Sequence, residues 1–180
     1  VPVQQARQPV VGLGRGVDIE MHLFGQGTLR DAMRTAIESS GHASRIHLHE
    51  AIPYPELVEL SRSFDLFVCC HIQSDPSCTY LESFGAGLPI VGYGNRMWKR
   101  LAEVSGAGLW SPLGRPAGVA DDIARLRADP EQLRAMSRRA RVFAQQHACE
   151  LEFAKRTTAI NAASKVAQKP YPYDVNFYSE

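Results

Sequence analysis

The stretch Ser74-Asp75-Pro76-Ser77-Cys78-Thr79-Tyr80-Leu81-Glu82-Ser83-Phe84-Gly85-Ala86-Gly87-Leu88-Pro89-Ile90-Val91 decides how this chain is read. A polar turn precedes a helix, a carboxylate follows about one turn into that helix, and a Gly-Leu-Pro corner leads into an apolar strand. A helix start offers unpaired backbone N–H groups and a partial positive charge, both suited to a phosphate. In an open α/β sheet, ligands bind at the carboxyl ends of strands, beside such helix starts. Glu82 can accept hydrogen bonds from two neighbouring hydroxyls, as on a ribose or hexose. The segment therefore reads as a site for a nucleotide or a nucleotide sugar.

The pattern on both sides of this stretch alternates strand and helix. Ile19 to Gly25 reads as a strand, and Thr28 to Ser40 as a helix with Leu29, Met33, Ala36 and Ile37 on one face and Gly41 as its stop. Arg45 to His49 reads as a short strand and Pro55 to Arg62 as a short helix. Asp65 to Cys70 is almost wholly apolar, as expected of a central parallel strand covered on both faces. Cys78 to Gly87 is the helix after the polar turn, Pro89 to Gly92 a strand, Arg96 to Val104 a helix and Gly108 to Ser111 a last short strand. Pro116 to Arg127 reads as a helix. Asp129-Pro130-Glu131 then starts another, with a capping residue, Pro at the first helical position and an acid in the first turn. Its apolar positions are Leu133, Met136, Ala140 and Phe143, and Arg134, Arg138, Arg139 and Arg141 read as a solvated face. Leu151 to Val166 is the final helix.

Strands alternating with helices predict an α/β fold, and right-handed crossovers make it a Rossmann-like, doubly wound parallel sheet in a single domain. Residues 1–18 read as linker or the remnant of a first strand at Val10-Val11. Gly12-Leu13-Gly14-Arg15-Gly16 has no strand before it and no helix after it. Residues 19–166 form the domain, and 167–180 an extended tail.

Composition excludes several classes. The chain has 180 residues, 44% hydrophobic and 22% charged, which suits one soluble domain. Lys plus Arg is 20 and Asp plus Glu is 19, a net charge of +1, so nothing supports nucleic acid as a partner bound through bulk charge. No apolar run approaches the roughly 18 residues of a membrane span, and no signal peptide stands at Val1. The start at Val1, without Met, points to an excised piece of a longer chain. Cys69, Cys70, Cys78 and Cys149 match neither a zinc site nor a redox pair, and read as buried, reduced thiols.

The order of motifs resembles a known family. Leu23-Phe24-Gly25-Gln26-Gly27-Thr28-Leu29-Arg30, Ile46-His47-Leu48-His49-Glu50-Ala51-Ile52-Pro53, Phe64-Asp65-Leu66-Phe67-Val68, Leu81 to Val91, and Asp129-Pro130 with its helix carry the likeness. Together they resemble the C-terminal, nucleotide-sugar-binding domain of GT-B fold glycosyltransferases, the retaining glycosyltransferases group 1 (family 4), over about Ile19 to Ala162. The resemblance implies that Glu82 holds the donor's ribose hydroxyls, and that Ser77, Cys78 and Thr79 present backbone N–H groups to the diphosphate. It implies close ligand approach at Gly25 and Gly27, and a base pocket at Glu50, Ala51 and Ile52. Ordinary readings stand beside these: a cap for Ser77, a tight turn for Gly25 and Gly27, and a loop packed on its own sheet for Glu50 to Ile52. A nucleophilic role for Cys78 lacks a His or Asn partner.

The likeness is incomplete. The family pairs two glutamates here; Glu82 fits the second, but the first falls on Ser74, which is not acidic. Asp75 is adjacent and shorter, which leaves Ser74 and Asp75 as the catalytic candidates. The basic first strand is not recognisable before Ile19, and the N-terminal acceptor-binding domain is absent. The isolated domain is therefore expected to be inactive. His47 and His49 share one strand face and could ligate a metal, but no third ligand is evident, so they read as structural. His71, at the end of the central strand, reads as a loop histidine. Asn95 and Arg96 could touch the sugar or cap a helix.

The expected function is donor binding in a retaining glycosyltransferase of glycan or cell-envelope polysaccharide synthesis. Its substrate would be a nucleotide-diphosphate sugar, its acceptor a glycan, lipid or small molecule, with no metal and no cofactor. The expected location is cytoplasmic, with the full-length protein able to sit at the inner-membrane periphery. Two other classes stay open: a non-catalytic GT-B-like interaction module, and half of a sugar-nucleotide epimerase.

Overall fold

The structure is a computed structural model that describes residues 18–74 and 78–164. The expected Val10-Val11 strand, the tail 167–180, and Asp75 and Ser77 lie outside the described residues. The chain divides into two compact units, Val1–Gln145 and Gln146–Glu180.

In the first unit, β1 (Met21–Phe24), α1 (Arg30–Ser39), β2 (Ile46–His49) and α2 (Tyr54–Ser61) precede β3 (Phe67–Cys69) and α3 (Cys78–Ala86). Then follow β4 (Ile90–Tyr93), α4 (Arg96–Ser105), β5 (Gly108–Ser111), α5 (Pro116–Ala128) and α6 (Pro130–Gln146). Each expected strand and helix of this region is found, with ends shifted by a residue or two, but among the described residues the central, fully buried strand is β4 rather than β3 of the Asp65–Cys70 run. All strand pairs among the described residues are parallel, as helical crossovers require. Among the described residues they form two sheets, β1-β2 and β3-β4-β5.

The second sheet is covered on both faces. Successive residues of a strand point to opposite sides. Ile90 accordingly packs in a cluster with Cys69, Tyr80, Phe84, Trp98, Ala102 and Ala140. Val91 and Tyr93 pack in another with Val119, Ile123, Leu126 and Met136. Phe84, Ile90 and Trp98 have no exposed surface. Burying each such side chain contributes about 1.5–3 kcal/mol. Gly92 is required by close packing, since a Cβ there would stand 2.0 Å from the Cys69 carbonyl oxygen.

Glycine also ends α3. Gly87 takes φ +84°. Its N–H donates to the Phe84 carbonyl and the Leu88 N–H to the Ser83 carbonyl, both at 2.9 Å, which satisfies two carbonyls left over at the helix end. Asp129 Oδ1 accepts from the Gln132 N–H at 2.9 Å, so α6 starts with the expected cap. Its four arginines are exposed, as a solvated face requires.

The second unit holds α7 (Cys149–Ser164), where Lys155 and His147 both pair with Glu152, at 2.7 and 3.0 Å. Among the described residues no helix is long and apolar enough to cross a membrane.

Candidate functional site

Helix α3 sorts its residues by face. Tyr80, Ser83, Phe84 and Ala86 are buried, whereas Cys78, Leu81, Glu82 and Gly85 are exposed. Residues three and four apart share a helix face. Glu82 therefore stands on the same outward face as Cys78, the first residue of the helix. The Glu82 carboxylate does not turn back on the helix start: its Oε1 accepts from the Tyr54 hydroxyl at 3.2 Å. Tyr54 opens α2 directly after the loop Glu50 to Pro53, so this bond ties the loop to the helix that carries Glu82. Tyr54 was not among the residues singled out from sequence. Its position at the head of a helix after the candidate loop is the only local signal it offers.

Asn95 fixes the start of α3 against its neighbours. It is 1% exposed. Its side-chain oxygen accepts from the Trp98 N–H at 2.8 Å, the capping bond of α4. Its amide donates to the His71 carbonyl at 3.1 Å and to the Tyr80 hydroxyl at 3.2 Å. Of the two readings left open for Asn95, the structure shows the cap. Ser74 Oγ accepts from the Arg96 N–H at 3.2 Å, so the residue at the missing-acid position is tied to the start of α4. His71 Nδ1 is buried and has no hydrogen-bond partner.

The other rim of the site is held by Arg30, which sequence reading also missed. Its side chain is 18% exposed. It donates to the carbonyls of Gly25 at 2.9 Å and His49 at 2.8 Å, and pairs with the Glu50 carboxylate at 2.7 Å. These carbonyls mark the carboxyl ends of β1 and β2, where the ladder leaves acceptors unpaired. A rigid fork of donors can satisfy several at once. Water can replace the guanidinium at strand-end carbonyls, so these bonds together contribute about 1–2 kcal/mol, of which the pairing with the exposed Glu50 is about 0–1 kcal/mol.

Gly25 has φ +151°, and a Cβ there would meet nothing within 4 Å. The backbone conformation favours glycine, as a tight turn requires, and the space above it is open. The Gly27 carbonyl accepts from the Arg30 N–H at 3.1 Å, which makes Gly27 part of the turn into α1. Ala51 is exposed, Ile52 half-buried and Thr79 half-buried.

His47 and His49 are joined by His22 of β1 and by Glu20 just before it, side chains that the sequence alone did not place beside them. Burial, then the nearby His22, His47 and Arg30, hold the His49 imidazolium below its ordinary pKa. All four cysteines are free, but Cys78 and Cys149 are exposed, contrary to the expectation of buried thiols. Both stand on the outward face of a helix start. Burial, with Cys69 beside it, pushes the Cys70 thiol up to about 11.

Residues 9–143 match the family model described as "Glycosyl transferases group 1". No curated protein matches the chain. Among solved structures, Staphylococcus aureus TarM in complex with fondaparinux, α-GlcNAc-glycerol and UDP aligns with TM-score 0.76 at 15% identity, over 89% of this chain and 33% of that one. HepE from Anabaena in complex with UDP aligns with TM-score 0.72 at 16% identity, over 89% and 45%. WaaG, a glycosyltransferase involved in lipopolysaccharide biosynthesis, aligns with TM-score 0.62 at 19% identity, over 73% and 35%. At such identities the likeness is one of fold: the Rossmann-like α/β architecture of GT-B glycosyltransferases. This chain spans between 30% and 51% of the length of these and similar structures.

Proposed function

This chain belongs to the glycosyl transferases group 1 family, and from that premise we propose that it is the donor-binding half of a retaining glycosyltransferase. One observation carries the reading: Glu82 projects from the outward face of α3, on the same face as the helix start, and is held by Tyr54 from the adjoining loop and helix. A nucleoside diphosphate laid across this rim would set its ribose hydroxyls on Glu82. Its diphosphate would meet the first N–H groups of α3, at Cys78 and Thr79, and its base the loop Glu50 to Ile52. Backbone amides and the helix dipole then stabilise the charge that develops on the leaving diphosphate. That work asks for no metal.

The remainder of the active site belongs to an N-terminal acceptor-binding domain, so this chain binds donor without turning it over. The acceptor is a glycan, a lipid or a small molecule, the setting glycan or envelope polysaccharide synthesis, and the compartment the cytoplasm. Because the TarM and HepE structures hold UDP, uridine donors are the first to test.

A second reading has one observation in its favour. Ser74, at the position of the missing glutamate, spends its hydroxyl on the α4 backbone. A GT-B-like module that keeps the fold and has lost the chemistry would tolerate that. A thermal-shift screen with UDP, GDP, ADP and their sugars separates the two. The donor reading expects one nucleotide series to raise the melting temperature of both this chain and the full-length protein. No shift in either favours the interaction module.

A further inference from the structure

We propose that Glu20, His22 and His47 form a binding site for a zinc-type divalent cation on one face of the β1-β2 sheet, with His49 as the residue that positions His22. Strand pairing alone brings them together. His22 and His47 are direct partners in the parallel register. Two-residue alternation sets Glu20 on the face of His22, and His49 on the face of His47.

The donor atoms converge. Glu20 Oε2 lies 3.8 Å from His22 Nε2 and 3.8 Å from His47 Nε2. The three ligand atoms all fall within 4.8 Å of one another. Ligands of tetrahedral zinc stand about 3.3 Å apart, given bonds near 2.0–2.1 Å. Reaching that spacing asks the Glu20 side chain, which is 66% exposed, to turn inward and the two imidazoles to tilt toward one another. Two imidazoles and one carboxylate form a donor set suited to zinc and its first-row neighbours, with a position left for water.

Two further observations point to an ion. His47 Nε2 is buried and has no hydrogen-bond partner, a costly arrangement that a coordinated cation removes. His22 Nδ1 stands 2.9 Å from His49 Nε2. With the proton on His22 Nδ1 and His49 accepting it, the lone pair of His22 is on Nε2, the atom turned toward Glu20. Phe64 lies against the His22 ring at 5.1 Å and Phe24 against the His49 ring at 4.5 Å, an apolar flank that limits water.

The cation would clamp β1 to β2 in the half of the domain that buries least. This does not depend on the donor-binding reading, whose groups lie at the carboxyl ends of the strands and on α3.

The test is a titration of the chelator-treated chain with Co²⁺, followed by Zn²⁺ displacement. The proposal expects saturation at one ion per chain, with visible d–d bands of tetrahedral or five-coordinate cobalt and no thiolate charge-transfer absorption. It expects Zn²⁺ to raise the melting temperature. Glu20→Gln, at an exposed position where the fold persists, and His47→Ala should each weaken binding at least tenfold, and His49→Phe about 10- to 100-fold. Absence of stoichiometric binding overturns the proposal. So does binding that Glu20→Gln and His47→Ala leave unchanged, or a thiolate signature that places the ion on a cysteine.

Discussion

The two sheets are held together by different means. In β3-β4-β5 every residue of β4 is buried, and the helices on either side close over it. In β1-β2 no residue of β1 is fully buried, only Ile46 of β2 is, and α1 buries none of its side chains completely. What secures that half is polar: Arg30 on the strand-end carbonyls, Arg45 on Asp18, and the stacked His22, His47 and His49. The better-buried half presents the fixed carboxylate and helix start. The other half presents a loop held by one arginine. A site built on such a pair gains precision from the packed core and adjustability from the rim.

The difference can be broken at its strongest point. Trp98→Ala empties a fully buried site and removes the indole bond to the Leu109 carbonyl at 3.1 Å. The expected cost is about 3–5 kcal/mol, read from the urea midpoint. Asn95→Ala should cost about 2 kcal/mol, because it removes the α4 cap and the amide's bonds to the His71 carbonyl and the Tyr80 hydroxyl. A fall of only a few tenths would mean that water or a neighbouring group replaces the amide.

Arg30→Met tests the other half. It should cost about 1–2 kcal/mol and act locally, so that hydrogen exchange of the β1 and β2 amides quickens while that of β4 stays slow. Equal acceleration in both sheets would show that the halves unfold as one. The smallest effect is chemical. At pH 8 a thiol with a pKa of about 11 carries roughly one part in a thousand of thiolate. Iodoacetamide should therefore alkylate Cys78 and Cys149 while Cys70 reacts only on unfolding, as peptide mapping would show. Early labelling of Cys70 would mean that the end of β3 opens in the native state.

Much of this was legible in the chain. Apolar runs punctuated by glycine and proline mark each strand and helix of the first unit, because burial and backbone freedom act locally. Glu82 was legible because the turn, helix and Gly-Leu-Pro corner around it are contiguous. Arg30, Tyr54 and the His22–Glu20 partnership were not. Arg30 meets a carbonyl 19 residues away and Tyr54 a carboxylate 28 away, and neither spacing follows a helical or strand period. His47 and His49 were seen together because they share a strand. Their partners on β1 depend on a register that only the folded sheet fixes.

The central claim is that Glu82 holds the ribose of the donor. Calorimetry with UDP and with 2′-deoxy-UDP, on the wild type and on Glu82→Ala, tests it most directly. The account predicts that the wild type binds UDP about tenfold or more tightly than its deoxy form, as expected for a charge-assisted hydrogen bond, and that Glu82→Ala binds both weakly and alike. Discrimination that persists undiminished in Glu82→Ala would contradict it.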